Sequence, residues 1–255
     1  GEKMKTIGGN IADVGKSLTM KVTAPLAAVG GAAFKASTDF ETAFTGVRKV
    51  VDGTETDFAS LETGIRNMSK QMPQSATEIA GVAEEAGKLG IQTENILSFT
   101  ETMVKMGSAT DLSAEEAANS LAQLAAITGM SQQDFDRMGS SIVALGNNFA
   151  TTEPKIVDMS LRLAGASTQV GMTEADMLAL STAMSAVGIN AEAGGSSMSR
   201  VMQKINTEVL SGGENLQGFA TVAGMTAEDF AQVWQDKPSA AILAFVQGLD
   251  GVKTS

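Results

Sequence analysis

One stretch, residues 129–145, states the rule that the rest of the chain repeats. It opens Gly129-Met130-Ser131, passes two glutamines, and reaches Asp134-Phe135. Ser131 predicts a helix N-cap and Asp134 its capping-box partner, covering backbone N–H groups that a helix start leaves unpaired. Met130 and Phe135 bracket the box as a hydrophobic staple. Phe135, Met138, Ile142 and Leu145 then recur at spacings of three, four and three, one face of a helix. Gly146, the residue that best tolerates a left-handed helix end, is the expected stop. A chain written in such units can fold only as short, punctuated helices.

The same grammar recurs along most of the sequence. Thr54 with Asp57 opens a seam of Phe58, Leu61, Ile65, Met68 and Met72 that Pro73 should end. Ser75 with Glu78 opens Ile79, Val82, Ala86 and Leu89, stopped by Gly90. Ile91 and Ile96 form a staple around a weak cap at Gln92 or Thr93, followed by Phe99, Met103 and Met106, with Gly107 as the stop. Ser113 with Glu116 opens Ala117, Leu121 and Leu124, and Thr152 precedes Pro154, Ile156, Met159 and Leu163. Thr173 with Asp176 opens Met177, Leu180, Met184 and Val187 before Gly188. Asn190 caps a helix through Met198, Val201, Ile205 and Val209. Thr226 with Asp229 opens Phe230, Val233 and Trp234, and a last helix covers about 239–248. Before Asp52 lie an amphipathic stretch at 2–20, broken at Thr23-Ala24-Pro25, and a helix from Pro25 to Val51.

No segment shows sustained period-two alternation, so the expected fold is all-α. Gly90, Gly129 and Gly171 open equivalent units 39 and 42 residues apart, each holding two helices. A two-helix period near ~40 residues suits antiparallel hairpins stacked as a solenoid-like array, with a large helical bundle as the alternative. The expected organisation is N-terminal helices over 1–51, a hairpin core over 52–210 and a C-terminal helical segment over 211–255. An opening Gly1 and an ending without a clear stop suggest a piece of a longer chain.

Composition narrows the chemistry. Neither cysteine nor histidine occurs, which removes disulfides, thiolate metal sites and the usual triad base. The net charge of −11 argues against a nucleic-acid groove, which needs a basic patch. With aromatics at 4% and 15 methionines, the core is expected to be adaptable rather than rigidly specified. Glu84-Glu85 and Glu115-Glu116 are adjacent on helices and point apart, so neither pair flanks a substrate bond. Gly194-Gly195-Ser196-Ser197 lacks the strand and the lysine of a phosphate loop and reads as a softened helix. Trp234, the one tryptophan, reads as core with a partner anchor as the alternative. The alanine- and glycine-rich face over 26–36 allows close helix approach. No catalytic, cofactor-binding or metal residue is expected, and no cofactor.

Several motifs together resemble the core of phage tail tape measure proteins of the long-tailed type. They are Val22-Thr23-Ala24-Pro25, Asp39-Phe40-Glu41-Thr42-Ala43 and Pro73-Gln74-Ser75-Ala76-Thr77-Glu78-Ile79-Ala80. Ala86-Gly87-Lys88-Leu89-Gly90-Ile91 and Ser108-Ala109-Thr110-Asp111-Leu112-Ser113-Ala114-Glu115-Glu116-Ala117 continue the likeness, which spans about residues 10–250. The resemblance implies a non-enzymatic scaffold that sets tail length, occupies the tube lumen and leaves ahead of the DNA. It implies tail tube protein, tail assembly chaperones, tail-tip proteins and further copies as partners, with host membrane contact through other parts of the chain. Its expected location is the virion tail tube lumen, and host cytoplasm during assembly. A generic helical interaction module and a murein hydrolase-associated tail protein remain as alternatives.

Overall fold

The structure, a computed structural model, describes the backbone of residues 24–252 and the side chains of 35–249. The amphipathic stretch at 2–20 and most of the alanine- and glycine-rich face lie outside those residues. Twelve α-helices and no strand occur among the described residues, as the helical periodicity requires. The chain divides into two compact units, Gly1–Glu84 and Glu85–Ser255.

In the first unit, α1 (Ala24–Val50) and α2 (Glu55–Met68) form an antiparallel hairpin. Phe40, Phe44, Val47 and Val51 repeat at helical spacing on one side of α1 and are buried. Phe58, Leu61, Ile65 and Met68 do the same on α2. The Thr54–Asp57 capping box closes reciprocally, with the Thr54 N–H donating to Asp57 Oδ2 at 2.8 Å. Two arginines lace the hairpin. Arg48 donates to both oxygens of Glu55 at 2.9 and 3.0 Å and lies over the Phe58 ring. Arg66 reaches Glu41 at 3.1 Å with its guanidinium 3.9 Å from the Phe40 ring centre. The α2 helix stops at Met68 rather than at Pro73, giving way to turns in which the Met72 N–H still donates to the Met68 carbonyl at 2.9 Å, before Ser75 caps α3 (Ala76–Lys88).

The boundary between the units falls within α3, which is followed by a left-handed Gly90, φ +76°. The Ile91 N–H donates back to the Ala86 carbonyl at 3.0 Å, so the stop covers carbonyls the helix end would leave bare. A 3-10 turn, Thr93–Asn95, leads into α4 (Ile96–Ala109) and α5 (Ala114–Thr128). After Gly129 the order repeats: a 3-10 turn Gln132–Asp134, α6 (Phe135–Asn148) and α7 (Glu153–Gln169). The starts of all three elements are displaced by 39 residues, as in Ile96 to Phe135. The helix α8 (Glu174–Ala186) follows, then a π-turn (Ala191–Gly195) into α9 (Ser196–Ser211). Three helices close the chain: α10 (Leu216–Val222), α11 (Ala227–Asp236) and α12 (Pro238–Val252).

The helix α7 is the hub of this unit, packing against α5, α6, α8 and α9. Its buried residues, Ile156, Val157, Met159, Ser160, Leu163, Ala164, Ala166 and Ser167, cover more than one face. Short side chains let the neighbours approach, and the Ser160 hydroxyl is absorbed by the Ile156 carbonyl at 2.7 Å.

Several sequence expectations are corrected. Ser131 and Asp134 do not form a capping box. The 3-10 winding of residues 132–134 brings the Gln133 N–H to Ser131 Oγ at 3.3 Å, and the Asp134 carboxylate pairs with Arg137 instead. Gly107 and Gly146 are not stops, since α4 runs to Ala109 and α6 to Asn148. They are places of close approach: a Cβ on Gly107 would sit 2.8 Å from the Ala114 nitrogen, and one on Gly146 would strike Glu153. Thr152 holds the N-cap position without a side-chain hydrogen bond, because Pro154 removes one of the two N–H groups a cap can reach. Thr173 accepts from the Asp176 N–H, yet the carboxylate does not complete the box. Val187 is no seam residue; it is 75% exposed.

Candidate functional site

Most of the polar residues that could have suggested chemistry are occupied structurally. Glu116 closes the Ser113 box, accepting the Ser113 N–H at 2.8 Å, while Glu115 beside it faces solvent. Glu85 pairs with Lys88 at 3.5 Å. Those box bonds hold the Glu116 carboxyl below the ordinary carboxylate range, and the Thr54 and Ser75 boxes do the same for Asp57 and Glu78. Glu208, buried near the end of α9, is lowered by Lys204 at 2.6 Å and by hydrogen bonds from Asn215. Gly194 and Gly195 lie in the π-turn, and a Cβ on Gly195 would sit 2.6 Å from the Arg162 Cβ. Gly195 lets α9 start against α7, while Gly194 lies against Ile189. Trp234 is 2% exposed and donates from Nε1 to Asn206 at 3.1 Å, a core residue with its polar edge satisfied.

Two residues the sequence did not single out matter more. Gln132 accepts from the Gln92 N–H at 2.8 Å and from Asn95 at 3.3 Å, and donates to the Gly90 carbonyl at 3.2 Å. It thereby ties the turn before α6 to the equivalent turn before α4. Glu153, 7% exposed at the first position of α7, stands where α5 has Ala114, against the bare backbone of Gly146.

The most developed surface feature is an apolar groove of about 590 Å³ between α8 and α12. Ala179 and Ala183 give it a shallow floor on α8, while Leu180, Val187 and Ile189 wall one side. Ile242, Leu243 and Val246 wall the other. Leu243 is 58% exposed, and Asp176 and Lys237 are the charged residues of the lining. The rest of α12 explains this exposure. Phe245 packs edge-on against Phe219 at 5.6 Å and Gly248 fits against the Val222 carbonyl, which pins the helix to α10 by its other side. A second hollow of about 560 Å³, lined by Asp158, Arg162, Asn190 and Glu192 among others, carries both signs of charge. Among the described residues no group of three acidic side chains converges as a metal cradle, and no helix is long and apolar enough to cross a membrane.

Fold and site together define a helical protein with polar side chains at many of its helix ends and an apolar groove between α8 and α12. The family described as phage-related minor tail protein matches residues 62–255, and the chain belongs to that family. It is therefore a structural protein of a phage tail, associated with the virion and with other tail components. No curated protein and no solved structure matches the chain.

Proposed function

We propose that this chain is the core segment of a tail tape measure protein. It scaffolds tail-tube polymerisation, sets tail length, lies in the tube lumen and leaves ahead of the DNA, without catalysis of its own. Its partners on this reading are tube subunits, assembly chaperones, tail-tip proteins and further copies of itself. The observation that carries the reading is the commitment of Glu85, Glu116 and Trp234, singled out in the sequence, to ion pair, cap and core contact. Family membership and the order of the motifs add support.

The test is an in-frame deletion of residues 90–128 in the phage that encodes the chain. A ruler running as continuous helix loses about 58 Å at 1.5 Å per residue, so tails should shorten by that much in electron micrographs. Tails of unchanged length would sink the proposal. Clearing of peptidoglycan by the purified chain in a zymogram would favour the hydrolase-associated alternative instead.

The same reading carries a tension, because a ruler is best served by unbroken helix while this chain stops repeatedly at glycines in left-handed conformation. The hypothesis that resolves it is a hairpin fold outside the tube that opens into extended helix within it. A second reading, a helical interaction module, is favoured by one observation, the α8–α12 groove.

A further inference from the structure

We propose that α8 is a detachable strap, which leaves α7 as one piece ahead of the rest of the second unit by swinging on the glycines at its two ends. The buried residues of α8 are Met177, Leu178, Ser181, Thr182, Met184 and Ser185, so half of them carry hydroxyls. Those of α5 are all alanine and leucine, and those of α6 are Phe135, Met138, Gly139 and Ile142. Apolar area removed from water holds a helix in place, and a buried hydroxyl adds little to it. The partner helix is polar in the same way, since α7 buries Glu153, Ser160 and Ser167. Six of the nine polar side chains buried among the described residues therefore stand on these two helices.

Most of these hydroxyls bond within their own helix or to nothing. Ser160 and Thr182 donate to the carbonyls of Ile156 and Leu178, four residues back, and Ser185 donates to that of Thr182. Ser167 and Ser181 are buried without a partner. The far end of α8 is tied by one bond, Thr151 Oγ1 to Ser185 Oγ at 2.9 Å, just before α7 begins. Among the described residues α7 is the extensive neighbour of α8, while α6 and α12 touch it lightly, so one seam decides whether it stays. Gly171 at φ +75° and Gly188 at φ +80° bracket the helix, and glycine crosses between backbone regions that other residues cannot, as a hinge requires. Once detached, 13 residues are too few to stay helical alone, so α8 unwinds and its amides exchange. Detachment supplies a first step for the hairpin opening proposed above and rests on that reading only for this role.

Hydrogen exchange on the isolated full chain, read by mass spectrometry, should show the α8 amides exchanging together and roughly tenfold or more faster than the amides of α7. The chain has no cysteine, so Thr151→Cys with Ser185→Cys places a single disulfide where two hydroxyls are hydrogen-bonded. Oxidised, that variant should slow exchange in α8 by about tenfold or more while leaving α4 and α5 as they were, and reduction should restore the faster rate. Ser181→Ala removes an unpartnered buried hydroxyl at a helical position that alanine suits, and should slow α8 exchange several-fold without a crosslink. This variant carries the test if the cysteine pair does not fold or close. Equal protection of α8 and α7 overturns the proposal, and so does α8 exchange that both the disulfide and Ser181→Ala leave unchanged. If α8 detaches in the isolated chain while deletion of residues 90–128 leaves tail length unchanged, the tape measure reading falls and the strap stands.

Discussion

Asp57, Glu78 and Glu116 each accept a backbone N–H three residues upstream and so hold a helix start together more strongly when ionised. Their carboxyls lie below the ordinary value in the folded chain, as does that of Glu208. The unfolded chain therefore binds more protons in acid, and stability must fall with pH in that window. The contribution is fully present at neutral pH and is lost as pH drops from about 4 through the folded values. Urea midpoints measured from pH 7 to 3 should be flat at first and then fall, and the fall should be shallower in the triple variant Asp57→Asn, Glu78→Gln, Glu116→Gln. The hydroxyl half of a box is tested by Ser113→Ala, which should cost about 1 kcal/mol in chemical denaturation.

At the scale of elements, glycines that look alike in sequence do three different jobs. Gly129, at φ +74°, ends α5 in a conformation that costs other residues roughly 1–2 kcal/mol, so Gly129→Ala should destabilise by about that amount. Gly107 lies inside α4 with the Ala114 backbone against it, and Gly107→Ala should cost about 1–3 kcal/mol by forcing helices apart. Gly165 has open space around it in the middle of α7, so Gly165→Ala should stabilise by about 0.5–1 kcal/mol. Thermal melts of the three variants distinguish the roles. The contrast also marks how far the sequence was legible. Caps such as Thr54–Asp57 and seams such as Phe58, Leu61 and Ile65 were readable because their partners lie three or four residues away. Gly107 was misread because its reason is the start of the next helix, a tertiary contact. Gln132 gave no signal because its partners lie 37 to 42 residues upstream. Val187 fits a helical stripe, and only the packing of α8 against α7 decides that the stripe turns outward there. The groove was invisible for the same reason: its walls belong to helices whose neighbours the sequence does not place.

For the whole molecule, the question is what a fold of stacked, capped helices contributes to an extended assembly. Methionine and alanine are interleaved with the isoleucine, leucine, valine and phenylalanine of the core, and Thr100, Ser167 and Ser181 are buried in it without hydrogen-bond partners. Each such hydroxyl lowers the advantage of the packed state over one where water or another surface reaches it. The hairpin α4–α5 packs on α6–α7 along whole helices, and Gln132 is the clearest polar link between them. Gln132→Ala should leave the helices intact while speeding hydrogen exchange at the Gln92 amide, with a cost of about 0.5–1.5 kcal/mol. If the hairpins open within the tube as proposed, the Gln92 amide should exchange freely or join a continuous helix in assembled tails, and its link to Gln132 should be gone. The glycine stops would be absorbed into helix, since glycine adopts the right-handed region as readily as the left. Hydrogen exchange on isolated chain and on intact tails, compared at the amides of Gln92, Met172 and Met225, reads this directly. The last two are donors to Ser167 and Ala220 across the stops at Gly171 and Gly224. Identical protection in both states, or density showing the hairpins intact in the lumen, would mean that the tube encloses the folded form and that length is measured elsewhere in the protein.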